Sequence, residues 1–127
     1  MTPMILVDSN ILLDVVTGDP IWCHWSLGKL ESAAEAGPLL INDVIYAEVS
    51  VRYQRIEDLD AMLVGFGLVL ASMPRVALFS AAKAFSRYRE RGGGRTSVLP
   101  DFFIGAHAEA EGLVLLTRDP RRYRGYF

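Results

Sequence analysis

The stretch Met4-Ile5-Leu6-Val7-Asp8-Ser9-Asn10-Ile11-Leu12-Leu13 sets the reading of the whole chain. Four apolar residues run into one carboxylate, and the apolar run then resumes. A short continuous apolar run bounded by polar turn residues suits a strand buried on both faces of a parallel sheet. Ser9 and Asn10 both suit a helix N-cap. The stretch therefore reads as strand, turn, helix, with Asp8 at the carboxyl end of the strand, the edge where open α/β sheets bind ligands.

The remaining sequence repeats this grammar. Leu39-Leu40-Ile41, Leu68-Val69-Leu70 and Leu113-Val114-Leu115-Leu116 read as further short strands, the last buried like the first. Helices are predicted over about 11–16, from Asp19-Pro20 to Ala36, from the Asn42 cap onward, over 56–66, over 75–91 and from Pro100 to Glu111. Alternating strands and helices imply right-handed crossovers and an α/β fold. The expected architecture is a mainly parallel sheet of four or five strands with helices on both faces. At 127 residues the chain suits one domain, expected to span 1–127.

Predicted helix faces follow from spacing. Trp22 and Trp25 are expected in the core. Val44, Ala47 and Val51 form an apolar stripe interrupted by Glu48, which either pairs with Arg52 or Arg55 or faces a site. Ile56, Leu59, Met62 and Leu63 share one side of the next helix. Leu78, Ala81, Ala82 and Phe85 do so farther on, with Lys83, Arg87 and Arg91 on a solvated face. Gly92-Gly93-Gly94, between Arg91 and Arg95, reads as a mobile basic loop and lacks the GxxxxGK[ST] phosphate motif.

Composition narrows the classes. Half of the chain is apolar and 22% is charged, which suits a globular protein. No apolar run reaches the roughly 18 residues of a membrane span, and the N-terminus lacks the pattern of a secretory signal. One cysteine, Cys23, excludes an internal disulfide framework and a multi-cysteine zinc site; a cytoplasmic location is expected. Residues 1–74 hold three basic against ten acidic residues (−7), whereas 75–127 hold ten against five (+5). Nine of the late basic residues are arginine, which suits a polyanionic partner.

Four acids stand out: Asp8 and Asp119 each end an apolar strand, Asp101 begins a helix, and Glu48 interrupts an apolar stripe. Neither lysine, Lys29 or Lys83, stands near a strand end, and nothing obvious neutralises the four. If they converge, each pair about 4 Å apart costs roughly 4 kcal/mol at an effective dielectric near 20. Such a cluster holds a proton or a cation, and all-oxygen ligands select Mg²⁺ or Mn²⁺. On this reading Asp8→Asn leaves the metal-free protein as stable or more so.

Val7-Asp8-Ser9-Asn10, Tyr46-Ala47-Glu48, Leu99 to Ala108 (LPDFFIGAHA) and Leu116-Thr117-Arg118-Asp119 resemble, in order, the four acidic motifs of PIN-domain nucleases, within them the VapC-like toxins of type II toxin–antitoxin pairs. The resemblance implies a Mg²⁺- or Mn²⁺-dependent endoribonuclease with Asp8, Glu48, Asp101 and Asp119 as metal ligands or holders of the ion's water, and Asn10 and Thr117 as supporting polar residues. It also implies a homodimer and a VapB-like antitoxin that neutralises it. Two departures stand out. Arg118 takes a place often held by asparagine, and the sequence ends at Tyr126-Phe127 where relatives often continue, so a shortened last edge strand is expected. The expected reaction is in-line attack of metal-activated water on an RNA phosphodiester, leaving 5′-phosphate and 3′-hydroxyl ends. Arg91, Arg95, Arg121 and Arg122 are expected to hold the phosphate backbone.

Rival readings are weaker. A histidine ribonuclease needs two imidazoles, but His24 and His107 fall on different helices and read as packed or surface residues. A phosphoreceiver domain wants a lysine at a strand end, and a haloacid-dehalogenase-type phosphatase wants an aspartate where this chain has Asn10. The alternative from another class is a catalytically silent PIN-like interaction module.

Overall fold

The computed structural model describes residues 2–95 and 98–127. Four three-residue strands alternate with six α-helices among them: β1 (Ile5–Val7), α1 (Ser9–Val16), α2 (Cys23–Ala36), β2 (Leu39–Ile41), α3 (Asp43–Ser50), α4 (Ile56–Phe66), β3 (Leu68–Leu70), α5 (Arg75–Glu90), α6 (Leu99–Glu111) and β4 (Val114–Leu116). A 3₁₀ turn, Pro120–Arg122, follows β4. The sheet is wholly parallel in the order β3-β2-β1-β4, with Ile5 level with both Leu39 and Val114. The chain steps one way from β1 to β3, then crosses back to β4 on the far side of β1. Right-handed crossovers therefore set α1 to α4 on one face and α5 and α6 on the other.

Central strands β1 and β2 are buried along their whole length, as their unbroken apolar runs require. β4 is not: it is an edge strand and Val114 is 53% exposed, so the expectation of a second doubly buried strand is corrected. Apolar composition alone does not distinguish an edge from a centre. No further strand covers β4 among the described residues; the chain turns into the 3₁₀ segment instead. No helix of the described residues is long and apolar enough to cross a membrane.

Most helix boundaries fall close to expectation, but α2 begins at Cys23 and not at Asp19-Pro20, and the N-cap of α1 is Asp8 and not Ser9 or Asn10; several faces also differ. In α3 the buried residues are Ile45 and Val49, with Ala47 and Val51 exposed, so the predicted stripe is rotated by one residue. In α5 they are Ala77, Ala81 and Ala84, while Leu78 and Ala82 face out. Small alanines face α6 because the two helices press together around Phe102 and Ala106. In α4 only Leu59 and Leu63 are buried, and Ile56 is exposed. Trp22 and Trp25 meet edge to face with centroids 5.5 Å apart, but neither is in the core: α2 buries Ser26 and Leu30, which turns Trp25 outward.

Asn42 links layers. Fully buried, it caps α3 by accepting from the Ile45 N–H at 2.9 Å, and its amide nitrogen lies 3.1 Å from His107 Nδ1 on α6. Its oxygen is occupied by the cap, so the amide donates and His107 Nδ1 accepts, leaving the imidazole proton on Nε2. Burial depresses the His107 pKa, partly opposed by Glu111, in keeping with a neutral packed ring. The histidine-ribonuclease reading thus loses its second imidazole to the core. Asn42→Ala removes the cap and orphans His107; a loss of about 2–4 kcal/mol is expected, read as a shift of the urea midpoint.

Candidate functional site

Three of the acids reach the carboxyl edge by following strands. Asp8 follows β1 directly, Asp119 stands three residues beyond the adjacent β4, and Glu48 lies on α3, which follows β2 on the other side. The fourth, Asp101, sits in the first turn of α6. The crevice where the strand order reverses is the usual ligand position in such sheets. A cavity of about 440 Å³ opens there, lined by Glu48, Asp101 and Asp119, by Arg95 and Arg122, and by an aromatic side that includes Tyr88, Phe102 and Tyr126.

Asp8 stands behind this wall, 1% exposed. It occupies the N-cap position of α1 yet makes no capping bond with its side chain. Its Oδ2 instead accepts from the Thr117 hydroxyl at 2.8 Å and the Tyr123 hydroxyl at 2.7 Å, and its Oδ1 lies 3.4 Å from Ser9 Oγ. Ser9 donates its proton to Glu48 Oε1 at 2.9 Å, so one hydroxyl spans the two carboxylates. The expectation that Asp8→Asn disturbs no structural pair is therefore corrected: Asp8 accepts hydroxyl hydrogen bonds from Thr117 and Tyr123, both far away in the chain.

Asn10 and Thr117 meet as a support. Asn10 donates to Thr117 Oγ1 at 3.2 Å, and that same oxygen accepts from the Asp119 N–H at 3.1 Å. The Arg118 N–H donates to Asn10 Oδ1 at 3.2 Å. These bonds lock the turn after β1 to the turn after β4. The Arg118 side chain points away from the acids: it binds Asp14 through two bonds of 2.9 and 3.0 Å and stacks on Trp22 at 4.9 Å. Ser26 completes that buried group, donating to Asp14 at 2.6 Å.

Sequence left the four acids without a counter-charge; the structure supplies one. Arg122 Nε contacts Asp119 Oδ2 at 3.1 Å and its Nη1 lies 3.7 Å from Asp101 Oδ1. Neither Arg52 nor Arg55 pairs with Glu48, and Arg55 contacts Glu57 at 3.5 Å. Of the other arginines expected to meet phosphate, Arg95 lines the cavity, Arg91 stacks on Tyr126 at 5.8 Å, and Arg121 lies exposed on the 3₁₀ turn.

Electrostatics report the crowding. Burial raises the Glu48 pKa, and Asp8 and Asp101 add to the rise against the Ser9 hydrogen bond and Arg122. Burial likewise raises Asp101; Arg122 opposes it while Asp8 and Asp119 reinforce it. Burial works to lower the Arg122 pKa, but Asp101, Asp119 and Asp8 outweigh it and drive it up. Burial, then the charge of Asp8, keeps the Tyr123 phenol protonated and so a donor.

The donor set fits a hard divalent ion, being entirely oxygen on an acidic wall that already draws in a guanidinium. Among the described residues no three acidic, imidazole or thiol groups converge tightly enough to form a finished cage. Ser9 bridges Asp8 and Glu48, and Arg122 bridges Asp101 and Asp119.

Ser9 and Tyr123 are the site neighbours that sequence reasoning missed, and Asp14 is the partner it missed for Arg118. Ser9 had a signal, since it touches Asp8 along the chain. Tyr123 had none, because it comes to Asp8 only through the packing of the last turn. There Gly105 on α6 leaves room for the rings of Tyr123 and Phe127, which an added Cβ would strike.

The sequence model of the PIN domain family matches residues 5–127. A comparison with curated proteins returns no match. Among solved structures, VapBC2 from Rickettsia felis, bound to a DNA fragment from their promoter, aligns with a TM-score of 0.71 at 19% identity, covering 95% of this chain and 93% of the other. A toxin–antitoxin complex from Klebsiella pneumoniae aligns at 0.69 and 21%, covering 94% and 90%. FitAcB from Neisseria gonorrhoeae aligns at 0.65 and 18%, covering 97% and 93%.

A carboxylate with a raised folded-state pKa takes up protons sooner in the folded than in the unfolded chain. Its contribution to stability is therefore present below that raised pKa's range and lost as pH rises through it. His107, with a lowered pKa, acts in the opposite sense and cancels in a difference. Metal-free Glu48→Gln is expected to be more stable than the wild type near pH 7–8, with the gap narrowing as pH falls toward 5; thermal melts across that range read it.

Proposed function

The chain belongs to the PIN domain family, and on that premise we propose that it is a Mg²⁺- or Mn²⁺-dependent endoribonuclease acting as the toxin of a type II toxin–antitoxin pair. The observation that carries this reading is the shared acidic cavity of Glu48, Asp101 and Asp119, backed by Asp8. A bound divalent ion would supply polarisation of water and neutralisation of charge on the phosphoryl oxygens. Glu48, Asp101 and Asp119 would hold it at the wall, with Asp8 behind. Thr117 and Tyr123 fix the orientation of Asp8, Ser9 holds Glu48 beside it, and Asn10 holds Thr117 in place. Arg95 at the rim, with Arg91 and Arg121 outside, would position the phosphate backbone. Tyr88 and Tyr126, on the cavity's aromatic side, would meet unpaired bases that enter it. The structures of VapBC2 and of the Klebsiella complex support the further reading that a VapB-like antitoxin neutralises this chain. Family resemblance adds the reading that it would act in the cytoplasm as a homodimer.

Cleavage of RNA to 5′-phosphate and 3′-hydroxyl ends is expected, abolished by EDTA and restored by Mn²⁺. Glu48→Gln is expected to lower kcat/KM by about 10²–10³-fold. Cleavage that survives EDTA, or wild-type and variant protein equally inert in metal, would instead favour the silent interaction module.

RNA affinity should weaken with salt, with a log–log slope of about −2 if three arginines each meet a phosphate, and Arg95→Ala should shallow it by about 0.7. A flat salt titration by fluorescence anisotropy would remove the basic footprint.

A further inference from the structure

We propose that Arg122 is a resident counter-ion, which a divalent metal must displace from Asp101 and Asp119 before the site can act. The inference rests on the metal-dependent reading above and assigns the step that regulates it.

Two arginine–aspartate groups lie within a few residues of one another in sequence, and they differ in kind. Arg118 grips both oxygens of Asp14 at 2.9 and 3.0 Å, against an acid only 4% exposed and under the Trp22 ring. That pair is bidentate and shielded, the form an ion pair takes when it is permanent. Arg122 instead touches two different carboxylates once each, at 3.1 and 3.7 Å, with its own side chain 49% exposed. Single contacts at a wet rim are weak, so a divalent ion competes for them readily.

The backbone makes the exchange local. The Arg122 N–H is bonded to the Asp119 carbonyl at 3.3 Å, and the next residue, Tyr123, is buried and held to Asp8. The main chain is pinned on both sides of Arg122 while its guanidinium lies at the mouth of the cavity. Leaving the acids requires side-chain rotation alone. It also leaves Asp101 and Asp119 without their cation and open to the incoming ion. The displaced guanidinium stays at the rim, where a phosphate drawn to the ion would meet it.

Mn²⁺ titrated into the full-length chain, read by water-proton relaxation, tests this for the wild type, Arg122→Gln and Glu48→Gln. Arg122→Gln is expected to bind Mn²⁺ about tenfold more tightly than the wild type and to melt at a lower temperature without metal. Mn²⁺ should raise its melting temperature more than it raises the wild type's. If the wild type binds Mn²⁺ and loses it in Glu48→Gln while Arg122→Gln binds no tighter, the displacement idea falls and the metal site stands. If no form binds Mn²⁺, or Glu48→Gln binds it as the wild type does, both fall. Should Arg122→Gln not fold, Arg122→Lys replaces it: the ammonium cannot reproduce the two-carboxylate span, about threefold tighter binding is expected, and unchanged binding overturns the proposal.

Discussion

Negative side chains gathered at one edge of a small parallel sheet repel one another, and the rest of the site follows from how that repulsion is met. Two unit charges about 4 Å apart cost roughly 4 kcal/mol even at an effective dielectric of 20, against a net stability of about 5–15 kcal/mol for an ordinary domain. Hydroxyls from Ser9, Thr117 and Tyr123 absorb part of it, and Arg122 absorbs part of it with charge. The pKa values of Glu48 and Asp101 stay raised, first by burial and then by the neighbouring acids.

This division explains why the last residues matter to a site whose acids mostly lie far upstream. Arg122 and Tyr123 are consecutive, one facing Asp101 and Asp119 and the other Asp8. Their placement depends on the aromatic packing of Phe102, Tyr126 and Phe127 and on the missing side chain of Gly105. Folding and site assembly are thus coupled through the C-terminal turn, and damage to that packing would reach the carboxylates without touching them.

Helix α1 shows the same trade on a smaller scale. Its N-cap aspartate caps nothing with its side chain, because both carboxylate oxygens face groups of the site. Local helix stability yields to the geometry of the edge. The neighbouring Asp14–Arg118–Ser26 group compensates from the same helix, tying α1 to α2 and to the turn after β4.

Sequence by itself determined the parallel α/β plan and the edge on which the acids lie, because both follow from short-range pattern. An apolar run that meets an acid marks a strand end whatever else the chain does, and Asn42 caps its helix through a neighbour three residues away. Tertiary structure decided which apolar runs are central and which are edges, and rotated the faces of α3 and α5 by a residue or so from simple periodicity. It alone brought Tyr123 to Asp8, 115 positions apart. It alone set Arg122 among the acids as their cation while Arg118, four residues earlier, was turned to Asp14. Side-chain direction in an irregular turn has no periodicity to read; it is set by what the packed surface beneath leaves open.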